Sequence, residues 1–302
     1  MDVGVIGVGA MGKNHARVYS ELKQVDTLYI YDLDSKLAET IAQKTDAVCL
    51  SSMEEMLNKA EALSLCVPTP YHFNTAKKVL EAGINVLIEK PICLTASEAE
   101  ELVRFIPDDL IVGVGHIERF NPIISEIKGI IKKPLYFEMK RHNPGSARVN
   151  GSSVVEDLMI HDIDILFNSF FKEAVRMEAF GNSDICTVVF NFGKTPAFLS
   201  ASRKSSKKIR TIHIEEEDFT IYGDMMNQEL YVYWKPENYQ IDEQRYSQEN
   251  IIEKVMVGKI EPLKTELHSF LNCVKKGEQF PVTPVQAMNN MRICEKITKG
   301  LN

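Results

Sequence analysis

Between residues 3 and 12 the chain reads VGVIGVGAMG, and few folds accept such a stretch. A Val/Ile run of this kind suits a strand buried on both faces. Gly7, Gly9 and Gly12 then follow in the spacing G-x-G-x-x-G, which predicts a strand, a turn and a helix. In that unit Gly7 permits the tight turn and Gly9 lets the backbone approach a pyrophosphate. Gly12 lets helix and strand pack closely, and Ala10 and Met11 complete the turn. The helix N-terminus offers N–H groups to a phosphate. Asp32 ends the next apolar run, about twenty residues on, where an acid hydrogen-bonds ribose hydroxyls and repels the extra phosphate of NADP. The expected cofactor is therefore NAD. NADP is less favoured, although Lys36 would tolerate a 2′-phosphate.

The same grammar continues through residue 118. Apolar runs TLYIYD (27–32), AVCL (47–50), EALSLCVP (61–68), NVLIEKP (85–91) and LIVGVG (110–115) alternate with amphipathic segments such as MGKNHARVYSELK and PYHFNTAKKVLEAG. Strands alternating with helices imply a doubly wound parallel sheet covered on both faces, a Rossmann domain over 1–118. After Pro122 the pattern changes. YFEMKRH (136–142) reads as a strand, RHNPGSARVNGSS as a polar loop, and TVVFNF, AFLSAS, IRTIHIE, FTIYG and ELYVYW as strands without helices between them. These predict a second, α+β domain over 119–302 with a large, mostly antiparallel sheet. The tail carries two amphipathic helices, the last able to pack back on the first domain. The basic run RKSSKKIR (203–210), followed by EEED, reads as solvated, charge-paired hairpin surface.

The 302 residues carry a net charge of −7, which disfavours nucleic acid and anionic membrane as partners. No apolar run approaches the roughly 20 residues that span a bilayer. The start shows no basic segment or cleavage site of a secretory leader. Six scattered cysteines without a CxxC pair read as reduced thiols. A cytoplasmic protein is expected. No HExxH or comparable carboxylate–histidine spacing suggests a metal.

One stretch resists this plain reading: VVEDLMIHDIDILF (154–167) is core-like, yet it holds Glu156, Asp157, His161, Asp162 and Asp164. Charges are costly to bury without partners. Helical spacing puts Asp157 and His161 on one face, with Asp164 a turn further. Glu89-Lys90-Pro91 and Gly115-His116 end the fifth and sixth strands, at the sheet edge where such folds bind ligands.

GVGAMG, CVPTPYH, EKP, GHIERFNP and DLMIHDID together resemble the glucose–fructose oxidoreductase and inositol dehydrogenase family (Gfo/Idh/MocA) over nearly the whole length. The resemblance implies that Lys90, Asp157 and His161 are catalytic, and that Pro68, Thr69, His72 and Glu89 lie beside the dinucleotide with Lys90. Elementary chemistry agrees. Oxidising a secondary alcohol needs a proton acceptor, and an imidazole titrating near pH 6.5 suits that role. Asp157 would orient the ring, and Lys90 would stabilise a developing alkoxide.

The sugar-nucleotide branch of the family is the nearest in pattern, which implies oxidation at C3 of a UDP-linked N-acetylhexosamine. His116, Arg119, Asn121 and Asp157 are then assigned to the substrate, and Arg119, Lys140, Arg141 and Arg148 are candidates to neutralise a diphosphate. Met159 stands where the family often has glycine, which would narrow the pocket. A free cyclitol or monosaccharide is the alternative substrate. A non-catalytic dinucleotide-binding regulator is a remoter one, opposed by the complete set of Lys90, Asp157 and His161. The second domain is expected to form a homodimer or homotetramer through its sheet.

Overall fold

A computed structural model describes residues 1–144, 153–236, 239–242, 245–248 and 251–301. It divides into two units, Met1–Phe120 with Glu261–Arg292, and Asn121–Ile260 with Ile293–Asn302. The first unit thus includes most of the C-terminal tail, Glu261–Arg292.

In the first unit the Val/Ile/Leu runs become β1 (Asp2–Ile6), β2 (Thr27–Tyr31), β3 (Val48–Cys49), β4 (Ala62–Leu65), β5 (Asn85–Glu89) and β6 (Val112–Gly115). They form one parallel sheet in the order β3-β2-β1-β4-β5-β6. The order reverses between β1 and β4, whose carboxyl ends pair as Ile6 with Leu65. Such a reversal opens a crevice for ligands. Between the strands run α1 (Gly12–Glu21), α2 (Ser35–Thr45), α3 (Met53–Lys59), α4 (His72–Glu81) and α5 (Ala96–Phe105). Asp34, Ser52 and Thr95 cap α2, α3 and α5 through their side chains, whereas no side chain caps α1. Val3, Val5, Leu63, Leu65, Val86 and Ile88 are fully or almost fully buried. Each such side chain stabilises by about 1.5–3 kcal/mol relative to exposure.

The edge strand β6 is covered rather than left open. Val114 N donates to Val282 O at 3.1 Å, and Phe280 lies where a side chain on Gly113 would be. Phe280 stacks with Phe120 and meets Phe270 edge-on, on the helix Pro262–Lys276 (α8).

The second unit holds α6 (Pro122–Ile130), then β7 (Tyr136–His142) and α7, a helix over Val155–Phe170. Strands β8 (Arg176–Gly181), β9 (Ile185–Phe192), β10 (Thr195–Ser202), β11 (Ile209–Glu215), β12 (Phe219–Asp224) and β13 (Glu229–Trp234) follow. After β14 (Tyr239–Asp242) and β15 (Arg245–Gln248), which pair with each other, comes β16 (Ile251–Val255). The eight-stranded sheet has the order β16-β13-β12-β11-β7-β10-β9-β8 and is antiparallel except at β7 and β10. Its inner face is apolar, with Phe137, Met139, Val188, Phe190, Leu199, Ile212, Ile214 and Ile221 buried. The helix Val155–Phe170 packs there, with Phe167 edge-on to Phe190 and Phe170 against Phe137. The last helix, α9 (Pro284–Gly300), belongs to the first unit up to Arg292 and to the second from Ile293.

The helix Val155–Phe170 is not uniformly α. Val155–Met159 and Leu166–Phe170 are π-helical and only Ile160–Ile165 between them is α. The wider i→i+5 turn exceeds 3.6 residues, so residues four apart still share a face. Among the described residues, no helix is long and apolar enough to cross a membrane.

Candidate active site

Candidate residues occur in both units. In the first, the glycine turn has the geometry its spacing predicts. Gly7 has φ of 84°, and a Cβ there would lie 2.8 Å from Val67 N. A Cβ on Gly12 would overlap the carbonyl oxygen of Gly7, so α1 reaches its close approach to the turn only because residue 12 has no side chain. Gly9, by contrast, has nothing within 4 Å of its Cβ position, which leaves space over the turn for a ligand. Ala10 and Gly9 are exposed and Met11 half-buried. Asp32 follows β2, where its carboxylate accepts from Val8 N at 2.7 Å and from Asp34 N at 2.9 Å. Two backbone donors thus fix the carboxylate beside the turn while each oxygen keeps lone-pair capacity for a hydroxyl. Open space at Gly9, a helix without a side-chain cap and an oriented carboxylate fit an adenosine diphosphate moiety.

Lys90 leaves the carboxyl end of β5, half-buried, and Glu89 beneath it is 6% exposed. Glu89 Oε2 accepts from Lys90 N at 3.1 Å, and Oε1 lies 2.9 Å from His15 Nε2. His15 Nδ1 in turn meets Ser64 Oγ at 2.9 Å, which also pairs with Tyr19 Oη at 2.8 Å. Burial pushes the Glu89 carboxyl up, but the hydrogen bond and charge of His15, with Lys90, outweigh it and hold the group below its usual range. Gly115 completes the seat, since a Cβ there would stand 2.9 Å from Glu89 Oε1. The carboxylate assigned to the dinucleotide therefore faces inward, as the support under Lys90.

His72 is likewise held by contacts within its own unit. Its Nδ1 lies 2.8 Å from Pro91 O and its Nε2 2.8 Å from Val67 O, so the ring clasps the segments following β4 and β5. Burial lowers its pKa, and the carbonyls oppose that without prevailing. Pro68 and Thr69 occupy the turn that this clasp holds. His116 is buried at the end of β6. Arg119 reaches Pro281 O at 3.5 Å and Gln286 Oε1 at 3.3 Å.

In the second unit Asn121 is buried and does not present to a substrate. Its Oδ1 accepts from Ile123 N at the start of α6 and its Nδ2 donates to Met225 O. Arg141 is buried more deeply. It alternates along β7 with Phe137 and Met139 onto the buried face, and its Nε and Nη2 donate to Asp162 at 2.7–3.1 Å. The guanidinium is 2% exposed and paired with a carboxylate that is equally buried. Lys140, one residue earlier, points to the other face and pairs with Glu138 at 2.9 Å. Met159 is fully buried in the core of this unit, so it fills that core and does not narrow a pocket. Arg148 lies outside the described residues.

The polar residues of 154–167 now separate. Ser153 and Glu156 form a capping box, each side chain accepting from the other's backbone N–H. Asp162 holds Arg141, and Asp164 accepts from Asn168 Nδ2 at 3.0 Å. From Val154 to Leu166 every side chain is buried except Glu156, Asp157 and His161. With Glu156 turned to the cap, Asp157 and His161 share the one open face of a buried helix. Sequence reading missed Arg203, whose Nη2 lies 3.7 Å from Asp157 Oδ2. It opens the basic run taken as solvated surface, yet its side chain is 12% exposed. Among the described residues, no cluster of three His, Cys, Asp or Glu could hold a metal ion.

A family model for Gfo/Idh/MocA proteins, described as an oxidoreductase family with an NAD-binding Rossmann fold, matches residues 1–119. The chain is 32% identical over 243 residues to UDP-N-acetylglucosamine 3-dehydrogenase of Acidithiobacillus ferrooxidans, covering 77% of each protein. It is 26% identical to inositol 2-dehydrogenase of Acidothermus cellulolyticus over 57% of this chain and 54% of that one. Among solved structures, the Acidithiobacillus ferrooxidans enzyme superposes with a TM-score of 0.89 at 27% identity, over 100% of this chain and 97% of that one. A levoglucosan dehydrogenase in complex with NADH shares the fold at a TM-score of 0.83 and 17% identity, over 99% and 96%. With the Rossmann turn, the lysine after β5 and the Asp–His helix face in place, the chain belongs to the Gfo/Idh/MocA family of oxidoreductases and is a dehydrogenase.

Proposed function

We propose that this protein oxidises C3 of a UDP-linked N-acetylhexosamine and that NAD is its cofactor. The observation that carries this reading is the stretch from Val154 to Leu166, where Asp157 and His161, four residues apart, are with Glu156 the residues that are not buried. The sugar nucleotide is supported by the relative at 32% identity, which is named for UDP-N-acetylglucosamine and position 3. NAD over NADP is supported by Asp32, whose fixed negative charge would repel a 2′-phosphate.

The nicotinamide, when bound, supplies the hydride acceptor. The chain supplies the rest. Neutral His161 takes the hydroxyl proton as the carbonyl forms, and Asp157 stabilises the imidazolium that results. The Lys90 ammonium stabilises negative charge on the substrate oxygen, and the seat of Glu89 on His15 and Gly115 holds the backbone from which Lys90 projects.

Incubating the folded protein with UDP-N-acetylglucosamine and NAD tests the substrate through NADH absorbance. No reduction, with an inositol or aldose oxidised instead, would assign it to the second reading, a free cyclitol or monosaccharide. That reading gains from Arg141, one diphosphate candidate, being committed to Asp162. His161→Ala should lower turnover by about 10²–10⁴-fold and leave dinucleotide affinity nearly unchanged; lost affinity would contradict its role. Asp32→Ser should shift preference towards NADP.

The proposal extends to assembly and location. The open sheet face carries the aligned row Val189, Phe198, Glu138, His213, Tyr222 and Tyr231, and a second copy of the chain is its proposed partner. Sedimentation should show a dimer or tetramer that Tyr222→Glu weakens; a wild-type monomer would sink this. Cysteines present as thiols suit a reducing compartment, the cytoplasm.

A further inference from the structure

Arg203 stands where three segments of the second unit meet. Its Nη2 lies 3.7 Å from Asp157 Oδ2, and its Nε lies 3.9 Å from Asp184 Oδ1. The backbone fixes the base of this side chain. Arg203 N donates to Asp184 O at 3.0 Å, and Val154 N donates to Ser183 O at 2.7 Å. The turn before β9 therefore ties the end of β10 to the start of the helix that carries Asp157. Lys204 takes the other oxygen of Asp184 at 2.9 Å from a mostly exposed position.

Helix stability does not explain this arrangement. Asp157 lies in the first helical turn, where the backbone dipole favours negative charge and disfavours a cation. A guanidinium at 12% exposure is also costly to desolvate, and two carboxylates are needed to offset both effects. Nor does Arg203 repeat the role of Arg141. The Arg141–Asp162 pair is sealed at 2% exposure on each side, whereas Asp157 keeps 17% and belongs to the open face with His161.

We propose that Arg203 is a positioning residue of the reaction, acting through Asp157 to set its orientation and its charge towards His161. This rests on the roles proposed above for Asp157 and His161. Asp157 alone would favour the imidazolium. Arg203 shares that carboxylate, so His161 stays neutral at working pH and able to accept the hydroxyl proton. Among the described residues, the charged groups near Asp157 include Arg203 after β10, Lys204 and Asp184 beside it, and Glu156 and His161 on its own helix. Asp162, also on that helix, is committed to Arg141.

The test follows the ring of His161 by NMR across pH in the full chain, its signal among the seven histidines assigned with His161→Ala. In Arg203→Met the midpoint should rise by about half to one pH unit. Arg203→Lys should restore it, and Asp184→Asn, which leaves the cation less neutralised, should lower it. With an active substrate, Arg203→Met should lose up to about tenfold in kcat on the acid side and little at alkaline pH. An unchanged midpoint in Arg203→Met, or Arg203→Lys displaced as far as Arg203→Met, would overturn the proposal and leave a structural residue. Because the NMR midpoint needs no turnover, it decides the point even if no sugar is oxidised, and that second result alone would count against the catalytic reading.

Discussion

Five charged or titratable side chains in the stretch 154–167 are accommodated one at a time. Glu156 closes the helix cap, Asp162 neutralises Arg141, Asp164 holds Asn168, and Asp157 with His161 keeps the open face. The buried pair gives the sharpest prediction at this scale. Arg141→Met leaves Asp162 charged in the core and should cost about 3–5 kcal/mol of unfolding free energy, measured in urea. Adding Asp162→Leu should recover most of that loss, because a paired charge in a core is itself costly to desolvate. A double variant as unstable as the single one would show that the pair does more than satisfy itself. The position of Arg141 was legible: in YFEMKRH, strict alternation puts it with Phe137 and Met139, which turn to the core. Its partner was not, since Asp162 lies 21 residues away on a helix whose phase is partly π.

At the level of elements, the strand–turn–helix at β1 and α1 separates two uses of glycine. Gly9→Ala meets no atom, so its melting temperature should match wild type while dinucleotide Kd rises about tenfold or more, as the methyl enters the ligand's space. Gly12→Ala collides with the Gly7 carbonyl and should lower stability itself by about 1–3 kcal/mol. Calorimetric titration with NAD beside thermal melts checks both; a Gly9→Ala protein that binds normally would remove the turn from the cofactor site. The π turn at Val155–Met159 had no such sequence signature. Apolar and polar positions in 154–167 fit a 3.6-residue period well enough to predict a plain α-helix. The i→i+5 register emerges only when the helix packs on the sheet, and single π turns of this kind are frequent at functional sites.

For the molecule as a whole, acid should destabilise in two windows. His72 is held below its usual pKa by burial, so the folded chain refuses a proton that the unfolded chain accepts from about pH 6.5 downward. Its contribution is complete above that pH and is lost as pH falls towards the depressed folded value. Glu89 is also held low, so its contribution is present above about pH 4.5 and lost below it, as acid protonates the support of Lys90. Unfolding midpoints measured from pH 8 to pH 5 should therefore decline. His72→Asn should flatten that decline whatever it does to the absolute midpoint; an unaltered slope would remove His72 as the titrating group.

Local chemistry made the first half of this protein readable. Residue period, the freedom of glycine and the acid at the end of β2 act over a few neighbours, so the parallel sheet, glycine turn and cofactor class follow from contiguous sequence. The family motifs likewise singled out Lys90, Asp157 and His161. Tertiary structure decided what charged side chains do once the chain closes on itself. Glu89 turned to His15, 74 residues away, Arg141 to Asp162, and Arg203 from an apparently solvated run to Asp157. A buried charge has to find its counter-charge wherever the fold places one, and that partner leaves no periodic trace in the sequence.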